Sequence, residues 1–91
     1  MIRETLVVGN RLGLHARAAA KLVRLSSRFS CDVSVGRSGA GSPVDAKSIL
    51  GVLGLAASRG TRLEISADGP DEAEAMVAVR GLFETRFGED S

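Results

Sequence analysis

The sequence predicts an α+β fold: an open-faced β-sandwich in which an antiparallel sheet is covered by helices on one side. Three observations predict it. Four short segments alternate apolar and polar residues and so have one apolar face each. Three other segments repeat apolar residues every three to four positions. The two kinds follow one another as β-α-β-β-α-β-α. Strands with one apolar face suit an antiparallel sheet with one side packed and the other in solvent.

The first strand is "ETLVV", with Leu6 and Val8 on one face. "GNRLG", Gly9 to Gly13, follows as a loop. From Ala16 to about Arg28 the period becomes helical, with Ala19, Leu22, Val23, Ser26 and Phe29 as the inward stripe. Arg17, Lys21, Arg24 and Arg28 fall within a narrow arc of the same helix, so its outer face is basic. "CDVSV" is a second strand with Cys31, Val33 and Val35 inward. "GRSGAGSP", Gly36 to Pro43, is a Gly/Ser-rich turn to a short third strand "VDA", and the pair makes a hairpin. "KSILGVLGLAASRG" gives a short helix starting near Ser48 and ending by Gly60. "TRLEISA" is the fourth strand, with Leu63, Ile65 and Ala67 inward. "DGPDEAEAMVAVRGLFETRF" is the last helix: Pro70 stands near its first turn, where a missing N–H does no harm, and acids there suit the helix dipole. Ala75, Met76, Val79, Leu82 and Phe83 form its apolar stripe.

The 91 residues, 1–91, make one domain with one modest two-layer core. Apolar residues are 44% and charged residues 25%, the balance of an ordinary globular chain. With only three aromatic residues, all Phe, the core must rest on aliphatic side chains. The single cysteine, Cys31, excludes an internal disulfide framework and points to a reducing cytoplasm. It reads as a small buried apolar residue. No apolar run of helix-spanning length and no signal-peptide core is found, so neither export nor membrane insertion is expected. Net charge is +1, yet the charge is unevenly placed. Asn10 to Cys31 holds Arg11, Arg17, Lys21, Arg24 and Arg28 and no acid, so one face should be positive. Nucleic acid is a poor fit to that face, because the chain has no aromatic platform for bases and little net charge.

The chemistry concentrates at His15, the only histidine. It immediately precedes a helix, where unpaired backbone amides and the dipole form an anion site. The amides of Ala16, Arg17 and Ala18 are the ones on offer. Arg17 adds a planar cation suited to phosphate oxygens, and Gly13 lets the loop turn. Neutral imidazole is a nucleophile that can be phosphorylated. After transfer the same groups would stabilise the phosphoryl charge, each by about 0.5–2 kcal/mol. No second histidine, paired cysteines or ligand-spaced carboxylates suggest a metal site, so no metal and no cofactor are expected. No carboxylate stands near His15 in sequence to serve as a base.

The second helix is apolar nearly all round, through Ile49, Leu50, Val52, Leu53 and Leu55. A domain this small can cover only one side, which leaves an exposed apolar patch for a partner. Ser48, just ahead of it, reads as the N-cap and also as a hydroxyl open to regulatory modification.

"GLHAR" (Gly13 to Arg17), "DAKSILGVLGLAASRG" (Asp45 to Gly60) and "LEISADGPDEAEA" (Leu63 to Ala75) together resemble the histidine-containing phosphocarrier (HPr) family of the bacterial phosphoenolpyruvate:sugar phosphotransferase system, over nearly the whole chain. The resemblance implies a sheet of order 1-4-2-3 with three helices on one face. It implies phosphorylation of His15 at Nδ1 by phosphorylated enzyme I, transfer to an enzyme II A component, and phosphate binding by Arg17. It implies a carrier more than an enzyme acting on small molecules. A partner surface on the first two helices would include Ala20, Lys21, Arg24, Ile49, Leu50 and Leu53. Ser48 lines up with a serine modified in some bacteria by a dedicated kinase/phosphorylase, which would make that protein, and other regulatory proteins, further partners.

Three features depart from the family pattern. Ala18 stands where many members have Pro, which removes about 0.4–1 kcal/mol of backbone stiffening and supplies an extra N–H. No glycine ends the first helix, so Arg28 or Ser30 must serve. The Gly36–Pro43 hairpin is about two residues longer than usual and is assigned no role. Two other readings stand beside the sugar branch: a nitrogen-branch paralogue with identical site chemistry, and a regulatory binding module controlled through Ser48.

Overall fold

The alternation read from the sequence takes form as a four-stranded antiparallel sheet in the computed structural model, which describes residues 1–89. The elements are β1 (Ile2–Val7), α1 (Ala16–Ser26), β2 (Asp32–Arg37), β3 (Val44–Asp45), α2 (Ile49–Gly54), β4 (Arg62–Asp68) and α3 (Glu72–Glu84), then a 3-10 turn over Arg86–Gly88. The sheet order is β1-β4-β2-β3. Leu6 lies opposite Leu63, Val33 opposite Ala67 and Val35 opposite Ile65. Facing pairs share one side of a pleated sheet, so these residues form one apolar surface. It is buried against Ala18, Ala19 and Leu22 of α1, Val52 of α2 and Ala75, Met76 and Val79 of α3. The other sheet face carries Arg3, Thr5, Ser34, Glu64 and Ser66, none of them buried.

One charge sits on the apolar side. Glu4 faces Ile65 in the register and therefore points toward the helices. Arg80 of α3 meets it with two parallel hydrogen bonds, the Nε–Oε1 bond at 2.9 Å. A bidentate guanidinium makes that placement tolerable.

Several boundaries differ from the sequence reading. The strands are offset: β1 starts at Ile2, and β2 runs Asp32–Arg37 with Cys31 buried just before it. Helix α1 stops at Ser26, two residues before Arg28. Its end tightens through bonds from Arg28 N to Leu25 O and Phe29 N to Ser26 O, and Ser27 is its cap, neither Arg28 nor Ser30. Helix α2 is only six residues long and ends well before Gly60. Ala56 turns to φ 50°, and Arg37 caps the exposed carbonyls of Leu55 and Ala56. Pro70 lies ahead of α3, which starts at Glu72 with Asp71 at the N-cap. The Asp71 side chain does not cap its own helix. It accepts the amides of Ser30 at 2.8 Å and Cys31 at 2.9 Å and so pins the start of β2.

The largest difference is at the tail. The helical pattern continues through Phe87 in the sequence, yet α3 ends at Glu84. Arg86, Phe87 and Gly88 all take left-handed φ values, 53°, 58° and 71°. That reversal drives the Phe87 ring into the core, 4.8 Å from Phe83 and tilted by 58°, and leaves it fully buried. The aromatic packing offsets a backbone strain that a non-glycine residue would otherwise avoid. Lys21 of α1 donates to the Phe87 carbonyl and holds the turn from outside.

Among the described residues no helix is long and apolar enough to cross a membrane.

Candidate active site

The loop before α1 is set by Gly13. Its φ is 70°, and a β-carbon there would stand 2.4 Å from the Ala57 carbonyl oxygen. Only glycine permits both the turn and the approach. The loop is fastened by Leu14 N donating to Ala57 O at 2.9 Å, by the buried Leu14 side chain, and by Asn10, whose Nδ2 donates to Gly13 O at 2.8 Å.

His15 emerges from this loop as the N-cap of α1, in extended backbone geometry. Its carbonyl accepts Ala19 N at 2.8 Å, the first bond of the helix. Its Nδ1 faces back over the helix start and accepts Arg17 N at 3.3 Å. An amide can only donate, so Nδ1 presents its lone pair there. The ring proton then belongs on Nε2, and Nε2 lies 2.7 Å from Oε2 of Glu89. The first-turn amides of Ala16 and Ala18 have no carbonyl one turn back within the helix, as at any helix start. The His15 side chain is 26% exposed, so a partner can reach it.

Glu89 is the residue the sequence did not reveal: no carboxylate stands near His15 along the chain, and this one meets it only in space. It is 74 positions away. The Arg86–Gly88 reversal brings it over the ring. The buried Asn10 fixes its other oxygen through Nδ2 at 2.9 Å. The Asn10 hydrogen bond, followed by the His15 contact and the charge of Arg17, holds the Glu89 carboxyl below the usual carboxylate range, against the opposing effect of burial. No periodic signal marked either residue: Asn10 read as loop, and Glu89 lies in an acidic tail that looks solvated.

The other expected residues fall into two groups. Arg17 and Arg24 are exposed on the outer face of α1, and Arg28 is exposed beyond its end. Lys21 shares that face but is half-buried, with its ammonium engaged at Phe87 O, so the basic stripe is interrupted at its middle. Ala20 is half-buried. Helix α2 packs beside α1 and presents Ile49, Leu50 and Leu53 outward, with Leu50 80% exposed, while Val52 is buried. Ser48 is the N-cap of α2, its Oγ accepting Gly51 N at 3.2 Å. Among the described residues, no three His, Cys, Asp or Glu side chains cluster as metal ligands.

Chemically the site offers an accessible nitrogen lone pair, a set of amides aimed beyond it, a nearby guanidinium, and a carboxylate on the opposite edge of the ring. The family described as PTS HPr component phosphorylation site matches residues 2–85. A phosphocarrier protein HPr of Xylella fastidiosa is 50% identical over 91 residues, covering all of both chains. A phosphocarrier protein NPr of Klebsiella oxytoca is 38% identical over 89 residues, 98% of each chain. A crystal structure of HPr from Thermoanaerobacter tengcongensis superposes over all of both chains with a TM-score of 0.93 and 41% identity.

Proposed function

The chain belongs to the HPr family and is a phosphocarrier of the phosphotransferase system, and we propose that Nδ1 of His15 carries the phosphoryl group. The observation that supports this most is the Nδ1 lone pair, which faces the first turn of α1 on a side chain that is 26% exposed. In the forward step the lone pair forms a bond to phosphorus while the bond from phosphorus to the donor breaks, its electron pair leaving with the donor. The transfer is positional and electrostatic work. The amides of Ala16, Arg17 and Ala18 point where phosphoryl oxygens arrive, and Arg17 is long enough to clamp them. Arg17 N, now spent on Nδ1, becomes free to donate to a phosphoryl oxygen once Nδ1 is substituted. Ala18 keeps a backbone N–H that Pro would lack, so this departure leaves the chemistry in place.

The donor in this reading is phosphorylated enzyme I and the acceptor an enzyme II A component. Both would dock on the adjoining outer faces of α1 and α2, where Arg17 and Arg24 steer acidic partners and Ile49, Leu50 and Leu53 supply apolar area. The exchange is placed in the cytoplasm, consistent with Cys31, an unpaired thiol buried among apolar residues. Ser48 is the regulatory hydroxyl: a phosphate on it would replace the cap to Gly51 N and put negative charge beside Leu50. A nitrogen-branch role is the second reading, favoured by the likeness to NPr.

Incubation with phosphoenolpyruvate and enzyme I, followed by mapping of the acid-labile phosphate, tests the proposal. The expected product is His15 phosphorylated at Nδ1. A His15→Ala protein that still takes up acid-labile phosphate refutes it. Assaying a sugar-branch against a nitrogen-branch II A acceptor separates the two readings.

A further inference from the structure

We propose that Glu89 is a positioning residue for His15: it accepts the Nε2 proton, fixes the ring tautomer that exposes the Nδ1 lone pair, and stabilises the positive ring that phosphorylation creates. This rests on His15 being the acceptor. Three observations carry it. Glu89 Oε2 stands 2.7 Å from Nε2, on the ring edge away from the helix start. Its other oxygen is fixed by Asn10, a fully buried side chain that also anchors the loop carrying His15, through Gly13 O. The segment that delivers Glu89 spends two left-handed non-glycine residues and a buried Phe87 to reach that place.

The charge balance explains why a carboxylate belongs there. Before transfer the ring is neutral, with its proton on Nε2. When the Nδ1 lone pair takes the phosphoryl group, Nε2 keeps its proton and the ring becomes cationic. Arg17 and the helix start favour the incoming phosphoryl oxygens and oppose positive charge on the ring. Glu89 is the one charged group touching the ring among the described residues, and it supplies the compensating negative charge. A carboxylate holding an imidazole N–H in this way sets both tautomer and ring orientation, as in hydrolase triads and metal-bound histidines. The carboxylate does not take the proton; it stays ionised and the hydrogen bond strengthens as charge develops.

The test uses the full chain with Glu89→Ala and Glu89→Gln, each checked for fold by its amide NMR spectrum. Ring ¹⁵N shifts of the unphosphorylated proteins report the tautomer, and rapid-quench kinetics with enzyme I report transfer. The parent is expected to hold the Nε2–H form. Glu89→Ala should populate both tautomers and transfer more slowly by roughly tenfold to a hundredfold, the factor for losing a hydrogen bond to a charged group. Glu89→Gln keeps an acceptor oxygen without the charge, so it should retain the tautomer and recover only part of the rate. A Glu89→Ala protein with the parent's tautomer, or with a changed tautomer and the parent's rate, overturns the proposal. Phosphate mapped on the parent to a residue other than His15 overturns the acceptor assignment first, before any Glu89 variant is made.

Discussion

A β-carbon on Gly13 would lie 2.4 Å from the carbonyl oxygen of Ala57. The loop that presents His15 is thus stacked on the segment between α2 and β4 with no room for a side chain. Gly13→Ala must move one of the two backbones and also hold an unfavourable φ of 70°. The left-handed conformation alone costs about 1–2 kcal/mol. Urea unfolding should show a loss of at least that size, and phosphorylation by enzyme I should slow, because the ring leaves its place over the helix start.

Arg17 separates function from stability. Its side chain is exposed. Arg17→Glu should change the unfolding free energy by less than about 0.5 kcal/mol. Phosphoryl transfer should fall by roughly an order of magnitude or more, since a charge-assisted contact is replaced by repulsion. Equal transfer rates for variant and parent would remove Arg17 from the site.

Phe87 links the core to the site. It is fully buried, against Phe83. Phe87→Ala should cost about 3–5 kcal/mol. In thermal melts this is the most damaging of the substitutions considered, and any fraction still folded should show weakened contact between Glu89 and His15.

The proposed partner surface predicts a different pattern. Leu50 is 80% exposed, so Leu50→Ala should leave the melting temperature within about a degree or two while weakening enzyme I binding in a titration. Ser48→Asp should weaken the same binding by adding charge to that surface; unchanged affinity for both variants would place the dock elsewhere.

Acid should destabilise the fold through several carboxylates at once. Asp71 is held below the ordinary range by the amide of Ser30 and then that of Cys31. Glu72 is lowered by the amide of Gly69, Glu4 by Arg80, and Glu89 by Asn10. A carboxyl whose pKa is lower folded than unfolded stabilises the fold above its unfolded value, and that stabilisation is lost as pH falls toward and through the folded value. Urea midpoints should therefore be flat from pH 7 to about 5 and fall below about pH 4.5. Asp71→Asn should start lower at pH 7 and show a shallower acid slope.

Much of this was legible in the sequence because it is local. The strands announced themselves by a period of two, and α1 by its apolar stripe and basic face. "GLHAR" placed a histidine at a helix start before any coordinates were needed. Ser48 read as a cap and is one. Element ends were less legible. Whether α2 could reach Gly60 depended on Arg37, from another strand, capping Leu55 and Ala56. Whether α3 ran through Phe87 depended on a core able to receive its ring.

By itself, then, the sequence determined which residues face inward, the order of the elements and the place of His15 at a helix start, since each follows from spacing along a regular backbone. The tertiary structure alone decided what stands on the far edge of that ring. Glu89 reaches His15 through a chain reversal and is held there by the buried Asn10, and contacts between residues 74 and 79 positions apart leave no period in the sequence. Only the packing of Phe87 and the approach of Gly13 to Ala57 bring Glu89 and His15 within a hydrogen bond's length.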